Sequence, residues 1–253
     1  MKRTMVVAAL LAVLALPVAG GAARQATFKF CTDPTFPPME YALTSGKIVG
    51  FDVDMAVKLA GSWGDTASPS KTAFPGLIPA LNAKRCTAVI SGIFVTPDRK
   101  KQAGVVPYMR THRVLIVKAG NPKGIHSPSQ LKDKTVAVQA GTKYEEYLKA
   151  LKAKIGFTLQ SYPGDTDAVA QVLLGRADAV LTQDTSFAYQ SRKHPGKIAV
   201  GFTFAASDQF GIYYRKADTA VGQQIQAGVA QLKADGTLVK LATKYKIPVN
   251  TVK

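Results

Sequence analysis

Apolar and polar positions along the chain change period in a regular order. Alternation in "TFKFC", residues 27–31, gives way to helical spacing in "GFDVDMAVKLAGSWG", residues 50–64, with Asp52 as the expected N-cap and glycine as the stop. An extended piece, "SPSKTAF", leads to the helix "PGLIPALNAK", with Pro75 in its first turn, and to the strand "TAVIS", residues 87–91. The same order returns from Lys134: "KTVAVQ" as strand, "TKYEEYLKALKAK" as helix, "FTLQSY" as strand, "DTDAVAQVLLGR" as helix and "ADAVLTQ" as strand. Strand and helix in alternation predict parallel sheets. "LIPALNAKRCTAVIS" and "VAQVLLGRADAVLT" correspond in detail, each an amphipathic helix, a basic turn and an Ala-Val strand. The chain therefore reads as two similar α/β lobes.

Two extended runs, "THRVLIVKAG" and "SDQFGIYYRKAD", flank the second unit, and two helices follow. The first carries Val221, Ile225, Val229 and Leu232 on one face, and the second is "TLVKLATKY". If both runs cross between lobes, these helices return to the first lobe. The expected division is residues 27–112 plus 208–253 for a discontinuous lobe 1 and 113–207 for lobe 2, with two parallel-core sheets joined by a two-strand hinge. Ahead of them, Lys2 and Arg3 precede an uncharged run to Ala23 containing "MVVAALLAVLAL". That is the layout of a secretory signal over residues 1–26, with cleavage near Ala23, and it predicts an exported, periplasmic protein.

Thirty-three basic against sixteen acidic side chains leave a net charge of +17. The lysines are spread along helix faces and loops without interleaved aromatics, so nucleic acid is not an expected partner. Cys31 ends one strand and Cys86 begins another. If these strands are parallel neighbours, the sulfurs stand about 13 Å apart at roughly 3.3 Å per residue, and free buried thiols are expected.

In open parallel sheets ligands lie beyond the carboxyl ends of the strands. Those ends carry Thr32 and Asp33, Ser91 and Gly92, Gln139 to Thr142, and Thr182 to Asp184. Thr96 and Pro97 start a short helix that places Arg99 one turn past a strand end, where a guanidinium can grip a carboxylate with two parallel bonds. Asp184, from the other lobe, offers a carboxylate to an ammonium. Phe36 and Phe74, in Pro-restricted loops, flank the same cleft, and "QAGT" opens a helix whose N-terminal amides suit an anion. The pattern describes a zwitterion, acid at one end and amine at the other.

"CTDPTFPPMEY", "GKIVGFDVDMAVKLA", "FPGLIPAL", "AVISGIFVTPDRKK", "VAVQAGT", "GRADAVLTQD" and "LKADGTL" run in order and at the spacing of the family 3 extracellular solute-binding proteins. The chain resembles these amino-acid receptors of ABC transporters over nearly all of its length after the signal. The resemblance implies that Arg99 holds the ligand carboxylate and Asp184 its ammonium, and that Phe36 and Phe74 flank it. Ser91, Gly92 and Thr142 line the site, and Asp33, Gln139 and Gln183 approach the ligand side chain, which points to an amino acid with a polar side chain. It implies a monomer that delivers its ligand to a membrane permease, without a cofactor. Phe94, Lys143 and Tyr144 depart from the family's usual hydroxyl or small residues and point to a narrower, more cationic pocket.

The alternative on the same fold is a cyclohexadienyl dehydratase acting on prephenate or arogenate. It requires a general acid in the cleft, for which Asp184, or Glu145 with Lys143 nearby, are the candidates. The histidines, His112, His126 and His194, follow no cleft-facing strand end, and neither a metal-ligand spacing nor a nucleophile elbow appears.

Overall fold

The computed structural model describes residues 26–252; residues 1–25 of the expected signal lie outside them. In the first half the chain forms β1 (Thr27–Thr32), the short strands β2 (Thr35–Phe36), β3 (Glu40–Ala42) and β4 (Ile48–Val49), α1 (Phe51–Ser62), β5 (Thr66–Lys71), α2 (Leu77–Asn82), β6 (Ala88–Val89), α3 (Pro97–Gln102) and β7 (Gly104–Lys118). The second half contains β8 (Thr135–Gln139), α4 (Lys143–Ile155), β9 (Thr158–Tyr162), α5 (Asp165–Leu173), β10 (Ala179–Gln183), α6 (Asp184–Lys193), β11 (Ile198–Tyr214), α7 (Thr219–Ala234) and α8 (Thr237–Tyr245).

Eight strands form one sheet in the order β5-β1-β6-β11-β7-β10-β8-β9, and β2, β3 and β4 form a small second one. Parallel pairing holds within β5-β1-β6 and within β10-β8-β9. The two parallel sets, expected as separate sheets, are fused into one ladder because β7 and β11 are far longer than the extended runs the sequence displayed. They pair antiparallel along nearly their whole length, with a register break between Thr203 and Ser207 where the two parallel sets meet. Such a bulge bends a strand and raises its local twist. Pro69 is tolerated in β5 because that strand is an edge.

Helices cover the sheet through the faces their spacing dictates. Leu77, Ile78 and Leu81 of α2 pack with Val89 and Ile93, while Ala168, Val169 and Val172 of α5 pack with Ala137 and Val180. Burying each such Leu, Ile or Val contributes about 1.5–3 kcal/mol. The two corresponding helix-turn-strand segments end their helices alike: Lys84 and Gly175 adopt φ 59° and 72°, and the next amides, of Arg85 and Arg176, bond back to Ala80 and Gln171.

Two local expectations fail. Cys31 and Cys86 are not free thiols but form a disulfide, with Cα atoms 5.7 Å apart across 55 residues of chain. The strand expected to begin at residue 87 is only Ala88–Val89. Cys86 lies in the turn before it, so it does not stand a strand-length from Cys31. Asp52 is not an N-cap either: Gly50 occupies that position without a side-chain bond, and the fully buried Asp52 turns toward the core.

Candidate functional site

The carboxyl ends of β1, β6, β8 and β10 surround a small, partly open cavity, about 350 Å3 between atoms when the solvent at its mouth is included. Its first wall comes from β1, β2, β3 and the loops after β5 and β6. Asp33 follows β1, and its Oδ2 accepts from the Phe74 amide at 3.1 Å and from Gln139 Nε2 at 2.8 Å. Burial raises its pKa to about 6, against the pull of those bonds and of Thr35. Ser91 Oγ accepts from the Asp33 amide and donates to Glu40 Oε1, both at 2.9 Å. Behind them Asp52 accepts from the Gly92 amide at 2.7 Å and from the Tyr108 hydroxyl at 2.7 and 2.9 Å.

Glu40 and Asp52 are both fully buried. Burial, with Asp52 beside it, holds the Glu40 pKa well above the carboxylate range, while Asp52 is raised to about 6, chiefly by burial. Two buried carboxyls in contact cannot both ionise. Glu40 is the member of the pair held toward its protonated form, and its Oε2 has no hydrogen-bond partner among the described residues. Gly92 must be glycine: its φ is +49°, and a Cβ there would stand 2.7 Å from the Phe36 ring.

Arg99 enters from α3. Thr96 caps that helix by accepting from the Arg99 amide at 3.2 Å, and Pro97 takes the first turn. The guanidinium donates to the Phe94 carbonyl at 3.1 Å and lies 5.6 Å from the centre of the Phe74 ring. Burial draws its pKa below the ordinary guanidinium value. Among the described residues it forms no ion pair with a carboxylate.

The second wall comes from β8, α4 and β10. Thr142 caps α4 by accepting from the Glu145 amide at 3.2 Å and donates to the Gln139 carbonyl at 2.7 Å. Glu145 reaches back to accept at 2.9 Å from the amide of Gly141, the residue before the cap, a variant of the capping box, whose usual donor is the cap's own amide. Glu145 is largely buried, and it does not line the cavity. Burial pushes its pKa up, but bonds from Ser161, Gly141 and Lys149 outweigh that and leave it lowered. Lys143 pairs with Glu146 at 2.6 Å and, across the mouth, with Asp98 of α3 at 3.2 Å. The Tyr144 ring meets Phe94 edge-on at 5.2 Å. Gln183, fully buried at the end of β10, lines the cavity with neither its Nε2 nor its Oε1 partnered.

Every expected site residue except Asp184 lines this one cavity. The opposition of Arg99 and Asp184 is not found. Gln183 ends β10 and lines the cavity, whereas Asp184 opens α6 and turns to β7, accepting from Thr111 Oγ1 at 2.6 Å and from the His112 amide at 3.1 Å. Sequence reasoning missed two lining residues as candidates: Glu40, whose only signal was an acid set in the apolar "FPPMEY", and Tyr144, noted only as a departure.

The chain matches the bacterial extracellular solute-binding proteins, family 3, over residues 28–247, and it belongs to that family. The Escherichia coli K12 L-cystine-binding protein TcyJ is 30% identical over 212 residues, 83% of this chain and 79% of its own length. An ancestral arginine-binding protein bound to arginine superposes with a TM-score of 0.81 at 30% identity, covering 87% of this chain and 98% of that one. The ancestral amino acid-binding protein AncCDT-1, a precursor of cyclohexadienyl dehydratase, superposes with a TM-score of 0.78 at 31% identity, covering 87% and 94%.

Proposed function

We propose that the chain is an extracytoplasmic substrate-binding protein that captures an amino acid between two lobes and delivers it to an ABC transporter permease. The observation that carries this reading is Arg99, held by its cap and a carbonyl inside the cavity and paired with no carboxylate. A ligand carboxylate completes it with charge-assisted bonds. For the ammonium, Asp33 replaces Asp184. The carboxyl groups lining the cavity are Asp33 and Glu40, and burial beside Asp52 holds Glu40 toward its protonated form. The lobes are residues 27–112 with 208–253, and 113–207, and closure proceeds about β7 and β11.

Relatives named for binding cystine and arginine support the ligand class. A disulfide, as expected in an oxidising compartment, supports the periplasm, as does the signal-like leader. Among the described residues no helix is long and apolar enough to cross a membrane. We assign the chain as a monomeric receptor rather than a dehydratase, because relatives matched over most of its length are named as binding proteins, and the expected general-acid candidates, Asp184 and Glu145, do not line the cavity.

A thermal-shift screen of the twenty amino acids tests the assignment. At least one raises Tm by mass action and is recovered unchanged, and Arg99→Ala abolishes the rise. Conversion of prephenate or arogenate by the purified protein, or an undiminished rise in the variant, overturns it.

A further inference from the structure

The polar groups of the cavity divide into those already satisfied and those left open. Asp33 accepts from Phe74 and Gln139, Ser91 bridges Asp33 and Glu40, Thr142 caps α4, and Lys143 is held by Glu146 and Asp98. Gln183 alone among these side chains has both polar atoms buried and unpartnered. Thr182 and Ser186 satisfy the carboxylate of Asp165 between them without it, although the buried Thr185 hydroxyl, two residues on, is also unpartnered. A buried amide left unpaired is costly, so one aimed into a cavity marks where a ligand group belongs.

We propose that the Gln183 amide is a ligand-binding group that selects amino acids whose side chain ends in an uncharged carboxamide or ureido group, an inference that rests on the amino-acid reading above. Its two open valences are of opposite kind, one donor group and one acceptor. A carboxamide or ureido group meets both reciprocally. A guanidinium or ammonium meets the acceptor but sets its own N–H groups against those of Nε2.

Charge points the same way. The lining carries Arg99 and Lys143 as cations and Asp33 as the carboxylate free to ionise. A zwitterion with a neutral side chain uses Arg99 and Asp33 once each. A cationic side chain brings a second positive charge for which the lining holds no further ionised carboxylate, and an acidic one must displace Asp98 or Glu146 from Lys143.

Isothermal titration of the mature full-length chain tests this, with L-glutamine, L-asparagine, L-citrulline, L-arginine, L-lysine, L-glutamate and L-alanine as ligands. The expected result is that glutamine, asparagine or citrulline binds at least tenfold more tightly than arginine, lysine or glutamate. Gln183→Leu weakens that ligand tenfold or more while changing alanine by less than threefold, a difference that a merely structural role does not produce. Gln183→Glu narrows the gap to arginine or lysine by tenfold or more.

Wild-type binding of arginine, lysine or glutamate as tight as that of the neutral ligands, or an unchanged preferred ligand in Gln183→Leu, overturns the inference. Arg99→Met separates the two levels. If it abolishes binding while the wild type prefers a cation, only the role of Gln183 fails. If it binds every ligand as the wild type does, the amino-acid reading fails as well.

Discussion

The two walls of the cavity are built on opposite terms. On the first, Ser91 joins Asp33 to Glu40 and Asp52 holds the Gly92 amide, and the disulfide ties β1 to the turn before β6. On the second, Gln139 reaches across to Asp33, Lys143 reaches across to Asp98, and Gln183 has no partner. The first wall is bonded largely within itself, whereas two side chains of the second reach to what stands opposite and a third has no partner. A fixed surface that receives a ligand, facing a surface that completes itself on closing, is the division of labour a two-lobed receptor requires.

The largest expected effect comes from breaking the built wall. Replacing both Cys31 and Cys86 by serine opens a 55-residue loop and costs about 4 kcal/mol in chain entropy of the unfolded state. That corresponds to a fall in Tm of roughly 10 °C in a differential scan. Next is the ion that both walls enclose: Arg99→Met weakens ligand binding about 100-fold or more, or about 3 kcal/mol by titration, while leaving the far-ultraviolet dichroism unchanged.

The acids of the first wall give a sharper test, because stability and binding move in opposite directions over one pH window. Asp33 and Asp52 there, and Asp165 of α5 behind the second wall, are each raised by burial from 3.8 to about 6. Between those values the folded chain binds more protons than the unfolded one. Their contribution to stability is therefore greatest near pH 4 and is lost as pH rises through 6. Urea unfolding from pH 4.5 to 7.5 shows this slope, and Asp52→Asn reduces it. Ligand affinity runs the other way: Asp33 must be ionised to hold an ammonium, so binding at pH 5 is about tenfold weaker than at pH 7.

The smallest effect is at the seam between the walls. A Cβ on Gly141 would stand 2.7 Å from the Pro75 ring at a φ of +73°. Gly141→Ala thus opposes closure, and a several-fold faster ligand release in stopped-flow is the expected outcome.

What the sequence made legible was local. The changes of apolar period marked most of the helices and parallel strands, and Thr96 with Pro97 placed Arg99 correctly because capping depends on four consecutive residues. What it hid depended on a turn or on where a strand ends. The disulfide follows from a left-handed Lys84 that ends α2 early, which no spacing rule reveals. Gln183 lines the cavity and Asp184 does not, because β10 ends at Gln183 and Asp184 already belongs to the first turn of α6, facing β7. The length of β7 and β11, and with it the fusion of two sheets into one, was concealed because only their central apolar stretches stood out.

The central claim is that Arg99 and Asp33 grip the two ends of one amino acid inside the shared cavity. A crystal structure of the chain with its tightest amino acid tests it most directly. The account predicts the ligand carboxylate on the Arg99 guanidinium and the ligand amine within hydrogen-bond distance of Asp33. A ligand whose carboxylate lies away from Arg99, or whose amine is held by Asp184, contradicts it.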